Sequence, residues 1–444
     1  MVRPEGAGSG PVTTTRGGLG RPGWSRRHAA VAGLVVAALV AAATVAIVLS
    51  AGSGSGGGPS SIPAPPTALT RAQQAAQTPP YGFTANWGDY CYRALAAPPH
   101  YAVDPVAASE PCRAGWARLT TAQQLGLSAR AGATVDRLAA SWGRVEPTPP
   151  LQKAGSRVHR FNWASVTTVY RAMLSAGIRP IVLVYGTPPW ARQLGWDRPG
   201  TCRAAHNEGC SYPPSPRHLV DWRTFIGALV RRFPRMAALE VWNEPNVPRF
   251  WAPLPSPTLY SRLLQAAGEA AHGSGVPVPV VTGGLASQQT GTHGGIPAAT
   301  FLTRIYRLVG LASFDGIGVH PYPQGPPWTE RMTADLDVLR RVRDRLHDHA
   351  TPLWITEVGV GGTSGFRYRG SVGLAGQGPV LVRMYHAVQN TDVRAFMIYA
   401  LREVTTQGPK YEPYGVTRAN LQPKPAYCYV AQHLGRVRAC PSRD

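Results

Sequence analysis

Two glutamates close short apolar runs that read as strands: Glu244 in LEVWNEPN and Glu357 in LWITEVGVGG. A pair of carboxyls facing one groove can cleave an acetal such as a glycosidic bond. One must be protonated to donate to the leaving oxygen, and the other ionised to attack or stabilise the anomeric carbon. Repulsion between them helps keep a single proton on the pair. Other side chains with chemical uses stand at comparable places: Arg137 and Trp142 in VDRLAASWGRVEP, Trp190 in YGTPPW, Asn243 beside Glu244, His320 and Tyr322 in GVHPYP, and Tyr399 in AFMIYALRE. A guanidinium can hold a carboxylate ionised through its fixed fork of donors. An exposed tryptophan offers a face on which the C–H side of a sugar ring can pack.

For these residues to meet, the runs that carry them must be neighbours. Eight apolar runs read as strands, at 82–86, 134–139, 180–185, 238–242, 278–282, 316–319, 353–357 and 394–399. Amphipathic stretches lie between them, such as Met332, Leu336, Leu339, Val342 and Leu346, or Val166, Val169 and Met173, with the three- and four-residue steps of a helix. Ser256-Pro257 has the form of a helix start. Strands alternating with helices imply an α/β fold with parallel strands. No Gly-x-Gly-x-x-Gly follows the first strand, so a closed (β/α)8 TIM barrel is expected over a dinucleotide-binding sheet. In such barrels active sites lie at the C-terminal strand ends, where both glutamates fall, at strands 4 and 7.

The strand-4 NEP, the strand-6 HPY and the strand-7 TE together resemble the signature of the glycoside hydrolase superfamily called clan GH-A. Within it the chain is most similar to family 39-like and family 5-like members, over residues 81 to about 435. The resemblance implies a retaining glycoside hydrolase acting by double displacement on a β-linked poly- or oligosaccharide. Glu244 matches the acid/base, Glu357 the nucleophile, and Asn243 the residue that contacts the sugar 2-hydroxyl. Arg137 matches an arginine that hydrogen-bonds the nucleophile. His320 and Tyr322 match a His-x-Tyr pair whose tyrosine hydroxyl is directed at it. Trp142, Trp190 and Tyr399 are expected to contact substrate as well. Many relatives carry tryptophan where this chain has Tyr399, which leaves the sugar open. The resemblance implies no cofactor and no metal. A membrane-anchored transglycosidase remodelling an envelope polysaccharide is an alternative. A catalytically silent carbohydrate-binding protein is another, opposed by the intact glutamate pair.

The chain has 444 residues and a formal net charge of +22. The basic residues are almost all arginine and are spread along the chain, without the clustered patch of a nucleic-acid site. No nucleic-acid partner is expected, although an acidic polysaccharide is compatible with the charge. Residues 29–49 form an uncharged apolar stretch behind Arg26-Arg27-His28, long enough for the roughly 20 residues that cross a bilayer. An uncleaved single-pass anchor is favoured over a cleaved signal, with residues 1–28 inside and the bulk outside. Residues 50–80 read as a Gly/Ser/Pro-rich linker, 81–435 as the barrel and 436–444 as a tail. The six cysteines all follow the apolar stretch, in three close pairs: Cys91 and Cys112, Cys202 and Cys210, Cys428 and Cys440. Three local disulfides outside the cytosol are expected. A zinc site at Cys202, His206 and Cys210 is disfavoured, since structural zinc takes four ligands. His347-Asp348-His349 is expected to be a solvated helix end. A monomer is expected, with substrate choice carried by insertions at 91–116, 187–215 and 363–378.

Overall fold

A computed structural model of the chain describes residues 78–84, 121–192, 212–287, 294–362, 371–403, 413–418 and 420–440. The expected anchor at 29–49, its basic flank, most of the linker, and Cys91, Cys112, Cys202 and Cys210 lie outside these described residues. Among the described residues no helix is long and apolar enough to cross a membrane.

Eight strands form the barrel: β1 (Tyr81–Thr84), β2 (Val135–Ser141), β3 (Arg179–Tyr185), β4 (Ala238–Asn243), β5 (Val280–Ala286), β6 (Ile317–His320), β7 (Leu353–Val358) and β8 (Val393–Tyr399). All pair in parallel in chain order, and β1 closes on β8 with Thr84 opposite Tyr399. Among the described residues the longer helices are α1 (Thr121–Arg130), α2 (Ala164–Ser175), α3 (Leu219–Arg232), α4 (Pro257–His272), α5 (Ala298–Val309), α6 (Trp328–Arg345), α7 (Gly373–Val388) and α8 (Pro425–His433), with one short turn of helix at Trp142–Val145. Each strand is thus followed by a helix, which is why the strands are apolar on both faces. In β3 Pro180–Val184 is wholly buried. In α6 Met332, Leu336, Leu339 and Val342 form the buried stripe. Ser256 caps α4, its Oγ accepting from the Leu259 N–H at 3.3 Å, with Pro257 in the first turn.

Three local features depart from the sequence reading. β5 starts two residues after the expected run and ends at Ala286, because Gly283 and Gly284 are strand residues here. Glycine weakens a strand, but it also lets neighbours approach. A Cβ on Gly284 would strike the His320 ring and lie 2.7 Å from Thr356 Oγ1. The supposed insertion at 363–378 instead contributes its last residues to α7, whose start is anchored by buried Gln377. Its Nε2 donates to Val360 O at 3.0 Å and Tyr414 O at 2.9 Å. A hairpin, Leu151–Lys153 with Ser156–Val158, follows β2. Its turn uses Ala154 (φ 48°) and Gly155 (φ 78°), the left-handed pair that suits a two-residue hairpin loop.

The seam is closed at the C-terminus. The Tyr427 hydroxyl on α8 donates to Leu127 O of α1 at 2.8 Å. The Cys428–Cys440 disulfide is formed, so the chain is tied back to α8 as far as Cys440, beyond the expected barrel boundary. Inside the barrel Val135, Ile181, Ala238, Val281, Trp354, Ala395 and Met397 pack together. They are one apolar layer drawn from six strands.

Candidate active site

Side chains two residues further along a strand return to the same face. Stepping by two from Val135, Ala238 and Trp354 of the apolar layer reaches Arg137, Glu240 and Thr356, and these make a polar layer above it. Arg137 is 4% exposed and Glu240 is 0% exposed. Arg137 Nε donates to Glu240 Oε2 at 2.6 Å, and Nη2 to Glu240 Oε1 at 3.0 Å and Asn243 Oδ1 at 2.8 Å. Its third nitrogen, Nη1, is paired with Glu357 Oε1. Glu357 Oε2 accepts from the Tyr322 hydroxyl at 2.9 Å. The guanidinium therefore joins a buried carboxylate to one at the barrel mouth.

Glu244 is placed by an unusual turn of the chain at the end of β4. Trp242 and Glu244 both have positive φ, 76° and 39°. Non-glycine residues held there cost about 1–3 kcal/mol each and persist only where surroundings over-determine them. The surroundings here are specific. The Trp242 indole N–H donates to Phe250 O at 2.7 Å, and its ring meets Trp251 edge-on at 5.3 Å. Buried Asn246 clips the following loop to β5, exchanging hydrogen bonds with Ala286 at 2.9 and 3.0 Å. Glu244 Oε1 comes to rest 2.8 Å from His320 Nδ1. One oxygen of Glu244, one His320 nitrogen and one oxygen of Glu357 all lie within 4.8 Å of one another. The two glutamates keep 16% and 13% exposure, while His320 is fully buried.

The surroundings act on the ionisation of Glu357, Tyr322 and His320. Burial alone would raise the pKa of Glu357, but the charges of His320 and Arg137 and the Tyr322 hydroxyl outweigh it and hold Glu357 below the usual carboxylate range. Burial, and then Glu357, push the Tyr322 hydroxyl well above its ordinary value, so it stays a donor. His320 is raised despite its burial, by Glu357 and Glu244. Asn243 spends its carbonyl on Arg137, leaving its amide N–H groups as donors. Glu244, His320 and Glu357 could also be counted as three metal ligands, but Arg137 sets a fixed positive charge against Glu357.

Arg137, Asn243, Glu244, His320, Tyr322 and Glu357 are thus brought together. Tyr399 ends β8 within the same group, its ring 6.2 Å from Tyr322 and 5.9 Å from Tyr414. The two tryptophans differ. Trp190 is half-buried, whereas Trp142 is 0% exposed and has no face to offer a sugar, which corrects the expectation for it. Trp142 stacks on Phe225 at 5.8 Å and meets Trp190 edge-on at 5.4 Å. Beneath Trp190 lies an ionic cluster. His159 bridges Glu146 (2.7 Å) and Asp221 (3.3 Å), and His218 Nδ1 sits 2.7 Å from Asp221. The Trp190 indole donates to Glu146 O at 3.1 Å. Asp348, expected in a solvated helix end, is buried and accepts from the Tyr306 hydroxyl at 2.6 Å.

Sequence reasoning missed Glu240, Thr356 and Tyr414. For Glu240 a signal existed. A charged residue inside a strand buried on both faces must be paired, and LEVWN places one there. Tyr414 lies in a segment without strand or helix pattern and gave no signal.

No protein-family model matches the sequence, and no curated protein matches it. Solved structures do share the fold. A family 39 glycoside hydrolase from Bacteroides cellulosilyticus WH2 superposes with a TM-score of 0.52 at 16% identity, covering 81% of this chain and 64% of that one. A monomeric β-xylosidase from Caulobacter crescentus CB15 gives 0.52 at 18% identity, over 76% of this chain and 66% of that one. Fpglu1 from Fervidobacterium pennivoraus gives 0.52 at 13% identity, over 81% and 96%. The chain spans just under two thirds of the first two. At these identities the likeness is one of fold alone, a (β/α)8 barrel.

Proposed function

We propose that this chain is a retaining glycoside hydrolase acting on a β-linked poly- or oligosaccharide, with Glu244 as acid/base and Glu357 as nucleophile. One observation carries the reading: two carboxyls with oxygens within 4.8 Å of each other, one held by Arg137 and Tyr322 and the other by His320. Retaining enzymes keep their carboxyls about 5–5.5 Å apart, whereas inverting ones leave roughly 6.5–9.5 Å for a water. In the first step Glu357 Oε2 or Oε1 bonds to the anomeric carbon as the bond to the leaving oxygen breaks. That oxygen takes the proton from Glu244. In the second step Glu244 takes a proton from water, the water oxygen bonds to the same carbon, and Glu357 leaves as a carboxylate. Two inversions return the starting configuration. Asn243 has N–H groups to give the 2-hydroxyl, and Trp190 has a partly open face.

The barrel shared with a β-xylosidase makes aryl β-xylosides the first probes, followed by β-glucosides, β-mannosides and polymers. The test is a 2-deoxy-2-fluoro aryl β-xyloside or its β-glucoside and β-mannoside counterparts. A single adduct on the peptide containing Glu357 is expected by mass analysis. An adduct elsewhere, or product released with inverted configuration, would overturn the assignment. We place the work outside the cell, which the formed Cys428–Cys440 disulfide supports, and assign the tether to the apolar stretch 29–49.

Tyr322→Phe offers a pH test. The hydroxyl donates to the ionised form of Glu357, so its loss makes protonation of Glu357 easier. The acidic limb of kcat/KM, which reports the free enzyme, is expected to move to higher pH. The plateau should fall roughly ten- to hundredfold, the worth of a hydrogen bond to a charged group. An unmoved acidic limb would sever Tyr322 from the nucleophile.

A further inference from the structure

Below the two carboxyls the hydrogen bonds form one directed chain. Glu240 Oε1 receives Arg137 Nη2 at 3.0 Å, the Gly284 N–H at 3.1 Å and Thr356 Oγ1 at 2.8 Å. Glu240 is ion-paired with Arg137 through both of its oxygens and so only accepts, which makes Thr356 the donor. A threonine hydroxyl has a single proton. Once it is given to Glu240, Thr356 Oγ1 can only accept from His320 Nε2, 3.1 Å away. His320 then carries hydrogen on Nε2, and its Nδ1 is left to face Glu244 Oε1 at 2.8 Å.

We propose that Glu240 and Thr356 are positioning residues that fix the tautomer of His320, so that one proton is shared between His320 Nδ1 and Glu244 Oε1 and is delivered from there to the leaving oxygen. The proposal rests on the assignment of Glu244 as acid/base. Its chemistry follows from the two tautomers. With hydrogen on Nε2, neutral His320 offers Nδ1 as an acceptor, and Glu244 is held as the carboxylic acid that the first step consumes. With hydrogen on Nδ1, neutral His320 would instead donate to Glu244 and hold it as the carboxylate, unable to protonate anything. In fixing a ring by its other nitrogen, the partner decides which state the working nitrogen presents.

The groups facing the ring agree with this. They are Glu244 from the end of β4, Glu357 and Thr356 from β7, Arg137 from β2, and Tyr322 just past β6, whose ring lies 6.4 Å away. The negative charge of Glu357 acts against burial to keep the shared proton on the His320–Glu244 pair. When Glu357 becomes an ester its charge is gone and the pair releases its proton more readily, so Glu244 stands unprotonated for the base role of the second step. Gly284 completes the arrangement, since only a residue without Cβ leaves space for the ring beside Thr356.

The test is the dependence of kcat/KM on the leaving group, along aryl β-xylosides from 2,4-dinitrophenyl to 4-methoxyphenyl, or the same series on the sugar that turns over best. A good leaving group needs little acid help. Thr356→Val keeps the shape but removes the hydroxyl. It is expected to lose at least about tenfold on the most basic leaving group and under about threefold on dinitrophenyl, a part of the 10²–10⁴ that a general acid supplies. Glu240→Gln should steepen the series in the same sense, and Thr356→Ser should restore it. A uniform loss along the series is what a purely structural role gives, and it would overturn the proposal. A second readout needs no turnover. In protein labelled with ¹⁵N-histidine, the His320 signals, identified by their absence in His320→Asn, should show Nε2 protonated in the wild type, with protonation moving towards Nδ1 in Thr356→Val. An active enzyme with Nδ1 protonated refutes the tautomer lock. An inactive barrel with Nε2 protonated refutes the acid/base assignment instead. If melting shows that Thr356→Val is unfolded, the wild-type tautomer and the Thr356→Ser series still decide.

Discussion

Glu357→Ala is expected to lower kcat/KM on aryl glycosides by on the order of 10⁵ to 10⁶, the scale on which removal of a nucleophile acts. The size follows from the surroundings. Arg137 and Tyr322 aim their donors at Glu357, and no second carboxylate in the polar layer can replace it, because Glu240 lies fully buried against Arg137. The shortened side chain leaves a space lined by those same donors, suited to a small anion. Added azide should enter it and attack the face opposite the leaving group, giving the α-glycosyl azide from a β-glycoside. The fold should survive, since Arg137 keeps Glu240 as its partner. Activity within about a hundredfold of wild type would show that Glu357 is not the attacking group, given the smaller 10²–10⁴ range of general acid–base effects.

Glu244→Ala is expected to lose about 10²- to 10⁴-fold in kcat/KM on substrates with basic leaving groups, and much less on 2,4-dinitrophenyl glycosides. With the latter the first step still runs, but the second lacks its base. The covalent intermediate should therefore build up, seen as a burst of phenol and as an adduct on Glu357. Azide should now relieve the second step and give the β-glycosyl azide, because it enters from the side Glu244 occupied. The opposite anomers from the two alanine variants tell the two roles apart, since a mere loss of stability at either position gives neither azide.

All eight strands were legible as apolar runs because each is covered on both sides, by helices without and by the Val135–Ile181–Ala238–Val281–Trp354 layer within. The chemistry at their ends was legible because the barrel turns every strand end toward one mouth. β5 was misplaced where two glycines make room for His320 and Trp242 rather than obey strand preference. The hairpin after β2 was missed because all six of its strand residues are exposed, so no alternation marks them. Trp142 shows the limit of motif reading. A tryptophan just past a strand end suits a cleft or a core equally, and only its packing on Phe225 decides. Glu240 and Thr356 are the converse: polar residues inside strands, whose partners come from strands distant in sequence and appear only once the barrel is closed.

The left-handed backbone at Trp242 and Glu244 bears on how this protein could be hardened. Strain of that kind is an energy reserve lodged in the working end of β4, and a screen for heat tolerance alone would tend to release it. At Glu244 glycine or asparagine would be welcomed by the thermometer and refused by the substrate, because the same crank that burdens the chain brings Glu244 to His320; at Trp242 either would forfeit the packing of a buried indole and gain nothing. Stabilising changes are better sought far from that crank, on the outer faces of the helices, where the trade between endurance and turnover does not apply.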